Sequence, residues 1–212
     1  MTDQSKITFY HCPNTRSSAV RLLMAELGAP YELHAMSMKK GEHRQAAYLQ
    51  VNPLGKVPAI SHHGQLITET VAIFLYLADL FPKAGLAPAL TDSLRGPYLR
   101  WMVFYAAAFE PALIDKSMGR EIPADKVGSS PYGSYDAVIK MVDDQLAKGR
   151  YLLGDKFTAA DVLWGTALTW TTGFKLVPET PAIKAYLARV SKRPALAKHS
   201  ADEAELAKKV DG

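Results

Sequence analysis

The segments Asn52-Pro-Leu-Gly-Lys-Val-Pro-Ala-Ile60 and Thr68-Glu-Thr-Val-Ala-Ile73 carry the most structural information in this sequence. Pro58 opens a short apolar run and cannot donate a hydrogen bond to a neighbouring strand, which places it at the start of a strand. On the local sequence alone a trans proline is the commoner case. A cis Val57–Pro58 bond would instead turn the Val57 N–H and C=O outward, where an extended peptide can pair with them.

Glu69 and Thr70 begin an amphipathic segment, and its apolar spacing predicts a helix over residues 68–81. The first N–H groups of a helix lack partners and attract a carboxylate, while the Glu69 carboxylate can pair with an ammonium group. Together these groups form a receptor for a free amino-acid head group. A plain helix cap with an acidic first turn accounts for the same residues.

The chain on either side of these segments changes character near residue 82. Apolar and polar residues alternate over residues 6–11 and 31–35, which predicts two strands, and the segment between them has the apolar spacing of a helix. Residues 57–61 and 65–67 are predicted to form a hairpin. The order β-α-β-α-β-β-α indicates a small α/β domain over residues 1–82. Residues 83–92 have the composition of a linker, and residues 93–212 show only helical periods. We therefore predict an all-α helical-bundle domain after the α/β domain.

Composition excludes several classes of protein. The 212 residues are 48% hydrophobic and 22% charged, which is typical of a globular chain. The net charge of +4 is spread along the sequence, so no nucleic-acid partner is expected. The longest apolar run has about eight residues, too few to span a membrane. The polar first residues show no signal peptide, and the single cysteine suits a reducing compartment, so we expect a cytoplasmic location.

Several motifs resemble the glutathione transferase family. The segments N-P-L-G-K-V-P-A-I and T-E-T-V-A-I are similar to its glutathione-binding signature, N-P-x-G-x-V-P followed by E-S-x-A-I. Residues 41–44 (GEHR) resemble the G-x-H-K element of phi-type and related bacterial members. Residues 158–161 (TAAD) resemble the buried capping box at the start of a core helix. The motifs cover nearly the whole chain in the family's order, and they point to the bacterial, phi-, beta- or theta-like cytosolic type.

The resemblance implies a thioredoxin-like N-terminal domain in which Pro58 is cis and Val57 pairs with the cysteinyl backbone of glutathione. Glu69 and Thr70 would hold its γ-glutamyl end. The glycyl carboxylate would be held by His43, Lys56 and Arg44. It also implies a homodimer, detoxification of small hydrophobic electrophiles, glutathione as co-substrate, and neither a metal nor a further cofactor. From their helical spacing in the second domain, Tyr105, Phe109 and Trp164 are candidates for an electrophile site between the domains, although aromatic residues at such spacing more often pack in the core.

The catalytic position departs from the family's pattern. Such enzymes lower the pKa of the glutathione thiol with a donor at the start of the first helix, and the usual serine position falls on Asn14. Thr15 and Ser17 are close enough to act instead. Cys12-Pro13 resembles the Cys-Pro of omega-type transferases and glutaredoxins, so thiol transfer through Cys12 is one alternative. A non-catalytic glutathione- or ligand-binding member is the other.

Overall fold

The computed structural model describes residues 6–212, and residues 1–5 of the predicted first domain lie outside the described residues. In chain order the elements are β1 (Thr8–His11), α1 (Ser17–Leu27), β2 (Glu32–Ala35), α2 (Ala46–Leu49), β3 (Ala59–His62), β4 (Gln65–Ile67), α3 (Thr70–Leu80), α4 (Arg95–Phe104), α5 (Glu110–Ser117), α6 (Tyr135–Leu146), α7 (Ala159–Gly173), α8 (Pro181–Val190) and α9 (Pro194–Asp211). The predicted order β-α-β-α-β-β-α is confirmed. No helix in the described range is long and apolar enough to cross a membrane.

The chain forms two compact units. The first contains the residues up to Gly85 together with 193–212, and the second contains 86–192. In the first unit, four strands form one sheet in the order β2-β1-β3-β4. β1 and β2 are parallel and are joined through α1, whereas β3 pairs antiparallel with both β1 and β4. This mixed sheet with its helices is the predicted thioredoxin-like fold.

The last helix departs from the predicted domain boundary. The sequence placed residues 93–212 in one helical domain, but residues 193–212 pack with the first unit. Polar contacts explain this position of α9. At its start the Arg193 guanidinium donates to Glu26 over 2.8 Å, and at its end Asp211 accepts a hydrogen bond from the Ser37 hydroxyl over 2.6 Å. Between these two anchors, Glu203 contacts His11 at the end of β1.

The second unit is helical, as predicted, and contains α4 to α8. A π-helical turn, Tyr105–Phe109, joins α4 to α5. Pro111 follows this turn and has no N–H to donate to the preceding turn, so the regular α-helical bonding is interrupted there. Thr158 and Asp161 form the predicted capping box at the start of α7.

Candidate active site

Three of the predicted segments meet at one end of the sheet, where β1 and β4 finish and β3 begins; this end is called the edge below. β1 pairs with β3 in the register Tyr10–Ala59, and β3 pairs with β4 in the register Ile60–Ile67. Both pairs are antiparallel, so the end of β1, the start of β3 and the end of β4 lie side by side. The loop after β1, the segment before β3 and the N-terminus of α3 therefore converge.

The segment before β3 presents an open backbone edge. The Val57–Pro58 bond is cis, as the family resemblance implied. The carbonyl oxygen of Lys56 accepts hydrogen bonds from the Tyr48 hydroxyl (2.6 Å) and the Asn52 side-chain amide (2.9 Å), which fix the turn. Within the described part of the chain, the Val57 N–H and C=O form no hydrogen bond. This edge has the free groups that strand addition requires.

The N-terminus of α3 is the second component of the edge. Glu69 precedes the helix with a φ of 64° and a ψ of 114°, and no side-chain hydrogen bond caps the helix there. A positive φ is rare for glutamate and costs on the order of 1–3 kcal/mol, and such strain clusters at ligand-binding sites. The exposed Glu69 side chain and the half-buried Thr70 therefore flank helical N–H groups that can bind an anion.

Basic side chains gather beside the turn at Gly55. This glycine has a φ of 58°, and a Cβ there would lie 2.7 Å from the His43 carbonyl oxygen, so no larger residue fits. The Arg44 guanidinium donates to the Leu54 carbonyl oxygen over 3.3 Å. Burial, and then the charges of Arg44 and Lys56, lower the pKa of His43. The predicted residues His43, Arg44 and Lys56 are thus close together, and the two permanent positive charges disfavour a protonated His43.

Cys12 follows β1 and is fully buried, in a cluster with Met36 and Tyr48. Burial, and to a lesser extent the charges of Glu42 and Asp211, raise the pKa of the thiol to about 11. A reactive cysteine has a lowered pKa and an accessible sulfur, because the thiolate is the nucleophile. The environment of Cys12 is the opposite, which argues against thiol transfer through this residue.

The other candidate donors differ in exposure. Asn14 is exposed and has a φ of 58°, a conformation that asparagine adopts more readily than most residues. The Thr15 hydroxyl is partly buried and lies 2.7 Å from both the Cys12 carbonyl oxygen and the Ser17 hydroxyl. Ser17 is completely buried. Thr15 is therefore the hydroxyl that combines partial exposure with a place beside the N-terminus of α1.

A buried carboxylate that the sequence reasoning missed lies behind this loop. Glu203 Oε1 is 3.1 Å from His11 Nε2 and accepts a hydrogen bond from the Arg21 guanidinium over 2.7 Å. Its Oε2 accepts from the Ser18 hydroxyl and, over 3.3 Å, from the Asn14 N–H. Burial alone would raise the pKa of Glu203, but these side-chain hydrogen bonds outweigh it and hold the pKa well below the usual range. No spacing in the sequence links Glu203 to a loop about 190 residues earlier.

The predicted electrophile-site aromatics lie in the core of the second unit. Phe109 and Trp164 have no exposed surface, and the Trp164 indole N–H donates to the Trp101 carbonyl oxygen over 3.1 Å. Tyr105 is 6% exposed and donates to Glu110 over 3.0 Å. The expectation that Phe109 and Trp164 line a pocket does not fit this burial, because aromatic residues at helical spacing here pack against one another.

Comparison with known proteins agrees with this architecture. The family model of the glutathione S-transferase N-terminal domain matches residues 5–79, and that of the C-terminal domain matches residues 133–194. Glutathione S-transferase GstA of Escherichia coli O157:H7 is 28% identical over 188 residues, which cover 87% of this chain and 92% of the relative.

Solved structures extend the likeness to the fold. A glutathione transferase from Methylococcus capsulatus str. Bath matches with a TM-score of 0.77 and 31% identity, covering 94% of this chain and 99% of its own. A sphingomonad glutathione S-transferase complexed with glutathione matches with a TM-score of 0.76 and 28% identity, covering 93% and 98%. The chain belongs to the glutathione transferase family.

Proposed function

We propose that this protein binds glutathione at the sheet edge and activates its thiol for attack on apolar electrophiles. The observation that carries the proposal is the convergence of an unpaired Val57 backbone, the uncapped N-terminus of α3 and the Thr15 hydroxyl. Each component suits a different part of one ligand: an extended main chain, a charged head group and a sulfur atom.

The charges of glutathione, two carboxylates and one ammonium, match the edge. The Val57 N–H and C=O would pair with the cysteinyl unit, as in strand addition. The γ-glutamyl carboxylate would take the Thr70 hydroxyl and the first N–H groups of α3, and Glu69 would pair with the ammonium group. The basic residues of the Gly55 turn would hold the glycyl carboxylate. Complexes of similar proteins with glutathione, from a sphingomonad and from Sulfitobacter, support this ligand.

Thiol activation is assigned to Thr15, whose hydroxyl donates to the Cys12 carbonyl oxygen in this structure and would turn its proton to the glutathione sulfur. A hydroxyl hydrogen bond to the thiolate and the dipole of α1 both favour the charged form of the sulfur, so both lower the thiol pKa. The thiolate then attacks the electrophilic atom of the co-substrate, the new bond to sulfur forms, and the electron pair of the broken bond leaves with the departing group. No cofactor or metal takes part in this scheme. A homodimer, a cytoplasmic location and a role in detoxification complete the proposal by family resemblance.

The test has two measurements: the affinity for glutathione by calorimetry, and the rate at which glutathione is conjugated to a halogenated aromatic. We expect the wild-type protein to bind glutathione and to catalyse the conjugation. Glu69→Gln should weaken glutathione binding about tenfold or more, because a charge-assisted pair is worth about 1.5–3 kcal/mol. Glu205→Gln is the matched control, since Glu205 pairs with Lys209 on the surface of α9 and should leave both values unchanged.

Three outcomes would overturn parts of this proposal. A folded wild-type protein that ignores glutathione excludes the binding site. Binding without turnover of any halogenated aromatic, isothiocyanate or peroxide identifies a non-catalytic member instead. Loss of activity in Cys12→Ser, together with disulfide exchange in the wild type, would favour thiol transfer through Cys12 in spite of its burial.

A further inference from the structure

Glu203 is the buried acid of α9, with only 5% of its surface exposed. All of its donors belong to the end of β1, the loop that follows and the first turns of α1. They are the His11 ring, the Asn14 N–H, the Ser18 hydroxyl and the Arg21 guanidinium. One carboxylate therefore fixes both sides of the loop that carries Thr15.

A hydrogen-bonded chain connects this carboxylate to the Thr15 hydroxyl. Glu203 Oε1 lies 3.1 Å from His11 Nε2, and His11 Nδ1 lies 2.7 Å from the Ser17 hydroxyl oxygen. The Ser17 hydroxyl oxygen is 2.7 Å from that of Thr15. Each link has the length of a good hydrogen bond. The chain runs from α9 to the residue assigned to the glutathione sulfur.

The backbone of Cys12 holds the two hydroxyls of this chain. A carboxylate only accepts, so His11 donates to Glu203 from Nε2. The Ser17 hydroxyl donates to the Cys12 carbonyl oxygen over 3.0 Å, and its oxygen accepts from the Cys12 N–H over 3.2 Å. The Thr15 hydroxyl donates to the same carbonyl oxygen over 2.7 Å. The network therefore fixes the positions of both hydroxyl oxygens beside the N-terminus of α1.

Stability alone is a weak explanation for a buried charge at this position. Desolvation makes such groups expensive, and a well-packed apolar residue often serves a fold as well. α9 is already attached to the first unit at both ends, through Arg193 with Glu26 at its start and through Asp211 with Ser37 and Lys39 at its end. A role of Glu203 beyond stability therefore depends on whether its hydrogen-bond partners act in the proposed active site.

We propose that Glu203 is a positioning residue that acts through His11 and Ser17 to hold the Thr15 hydroxyl in place beside the N-terminus of α1, where it would meet the glutathione sulfur. The inference rests on the proposed function and deepens it by assigning α9 to the active-site machinery of the first unit. Other titratable or charged groups face this cluster and belong in any pH analysis. They are Arg21 and Tyr31, and on α9 itself His199 and Asp202. Burial lowers the pKa of His199, although the charge of Glu203 opposes this shift.

The test is the pH titration of the ultraviolet thiolate absorption of bound glutathione, together with the pH profile of conjugation. In Glu203→Gln, the side-chain NH2 group faces groups that are themselves hydrogen-bond donors, so the hydrogen-bonded chain is broken. We expect the apparent thiol pKa to rise by about one unit and the rate below that pKa to fall about tenfold. The KM for glutathione should stay within about twofold, because Val57, Glu69 and Thr70 are untouched. Glu205→Gln should match the wild type.

A second variant keeps the proposal testable if Glu203→Gln folds poorly. Ser17→Ala removes the central hydroxyl with a small change in volume and should raise the thiol pKa in the same direction. If both variants keep the thiol pKa of the wild type, this inference is wrong and the proposed function is unaffected. The same holds if the variants bind glutathione more weakly but keep the wild-type pH profile. A wild-type protein that binds glutathione without lowering its thiol pKa overturns the proposed activity and this inference with it.

Discussion

Two buried carboxylates, one in each unit, show how different partners give opposite electrostatic behaviour. Asp161 Oδ1 accepts from the Leu152 N–H (2.9 Å) and the Tyr186 hydroxyl (3.2 Å). Its Oδ2 accepts from the Thr158 N–H (2.9 Å) and hydroxyl (3.1 Å). Glu203 also accepts hydrogen bonds on both oxygens. Burial raises the pKa of Asp161 in spite of its four donors, whereas the pKa of Glu203 is lowered.

The difference lies in the charge of the donors. All partners of Asp161 are neutral, so they only offset part of the desolvation cost of the carboxylate. Glu203 has the Arg21 guanidinium at 2.7 Å and the His11 ring at 3.1 Å, and charge-assisted bonds are the stronger kind. Asp161 therefore serves the fold of α7 locally, while Glu203 joins distant parts of the chain at the site.

The largest expected effect is on the stability of the second unit. Asp161→Ala removes the acceptor of four buried hydrogen bonds and half of the capping box, so we expect a loss of about 4 kcal/mol in the free energy of unfolding. Urea denaturation measures this loss. Asp144→Ala is the control, because Asp144 pairs with Lys140 on an exposed surface. Equal midpoints for the two variants would contradict the structural role of Asp161.

The next effect is the loss of Glu203. At neutral pH, Glu203→Gln should destabilise the first unit by about 3 kcal/mol, the usual cost of breaking a buried charged pair. The folded-state pKa of Glu203 is lowered, so its contribution is complete above the unfolded pKa of about 4.3 and disappears as the pH falls below it. The difference in the free energy of unfolding between wild type and Glu203→Gln should therefore decrease at acidic pH.

Asp161 should behave in the opposite way, which sharpens the comparison. Its folded-state pKa is raised, so folding favours the protonated form. The stability advantage of the wild type over Asp161→Asn should grow as the pH falls through that folded-state pKa. Unfolding curves of both pairs between neutral and acidic pH measure the two slopes. Slopes of the same sign would refute the assignment of neutral and charged partners.

The smallest stability effect concerns Asn14, whose N–H donates to Glu203. If its role is the left-handed backbone, Asn14→Gly should be nearly neutral, whereas Asn14→Ala should cost about 1 kcal/mol. Both variants remove the side-chain amide. An equal shift of the thiol pKa in the two variants would instead show that the amide itself contacts the sulfur.

The contrast between the two carboxylates also explains what the sequence could predict. The Thr158–Asp161 capping box is local, with its partners three residues apart, so its spacing predicts it. The cis bond at Pro58 was predictable only through the family resemblance of the segment around it, because the local sequence by itself favours a trans proline. The packing of α9 with the first unit and the hydrogen bonds of Glu203 depend on contacts between residues far apart in the chain, which the periodicity of the sequence does not predict. The burial of Phe109 and Trp164 depends on helix packing, which apolar spacing alone does not determine.

The central claim is that the Thr15 hydroxyl activates the glutathione thiol at the edge built by Val57 and Glu69. The most direct measurement is the thiol pKa of glutathione bound to wild type and to Thr15→Val, a variant of nearly the same shape without the hydroxyl. We predict that the wild type lowers this pKa by about two units, and that Thr15→Val restores at least one unit while still binding glutathione. A thiol pKa that is equally low in both proteins would contradict the claim.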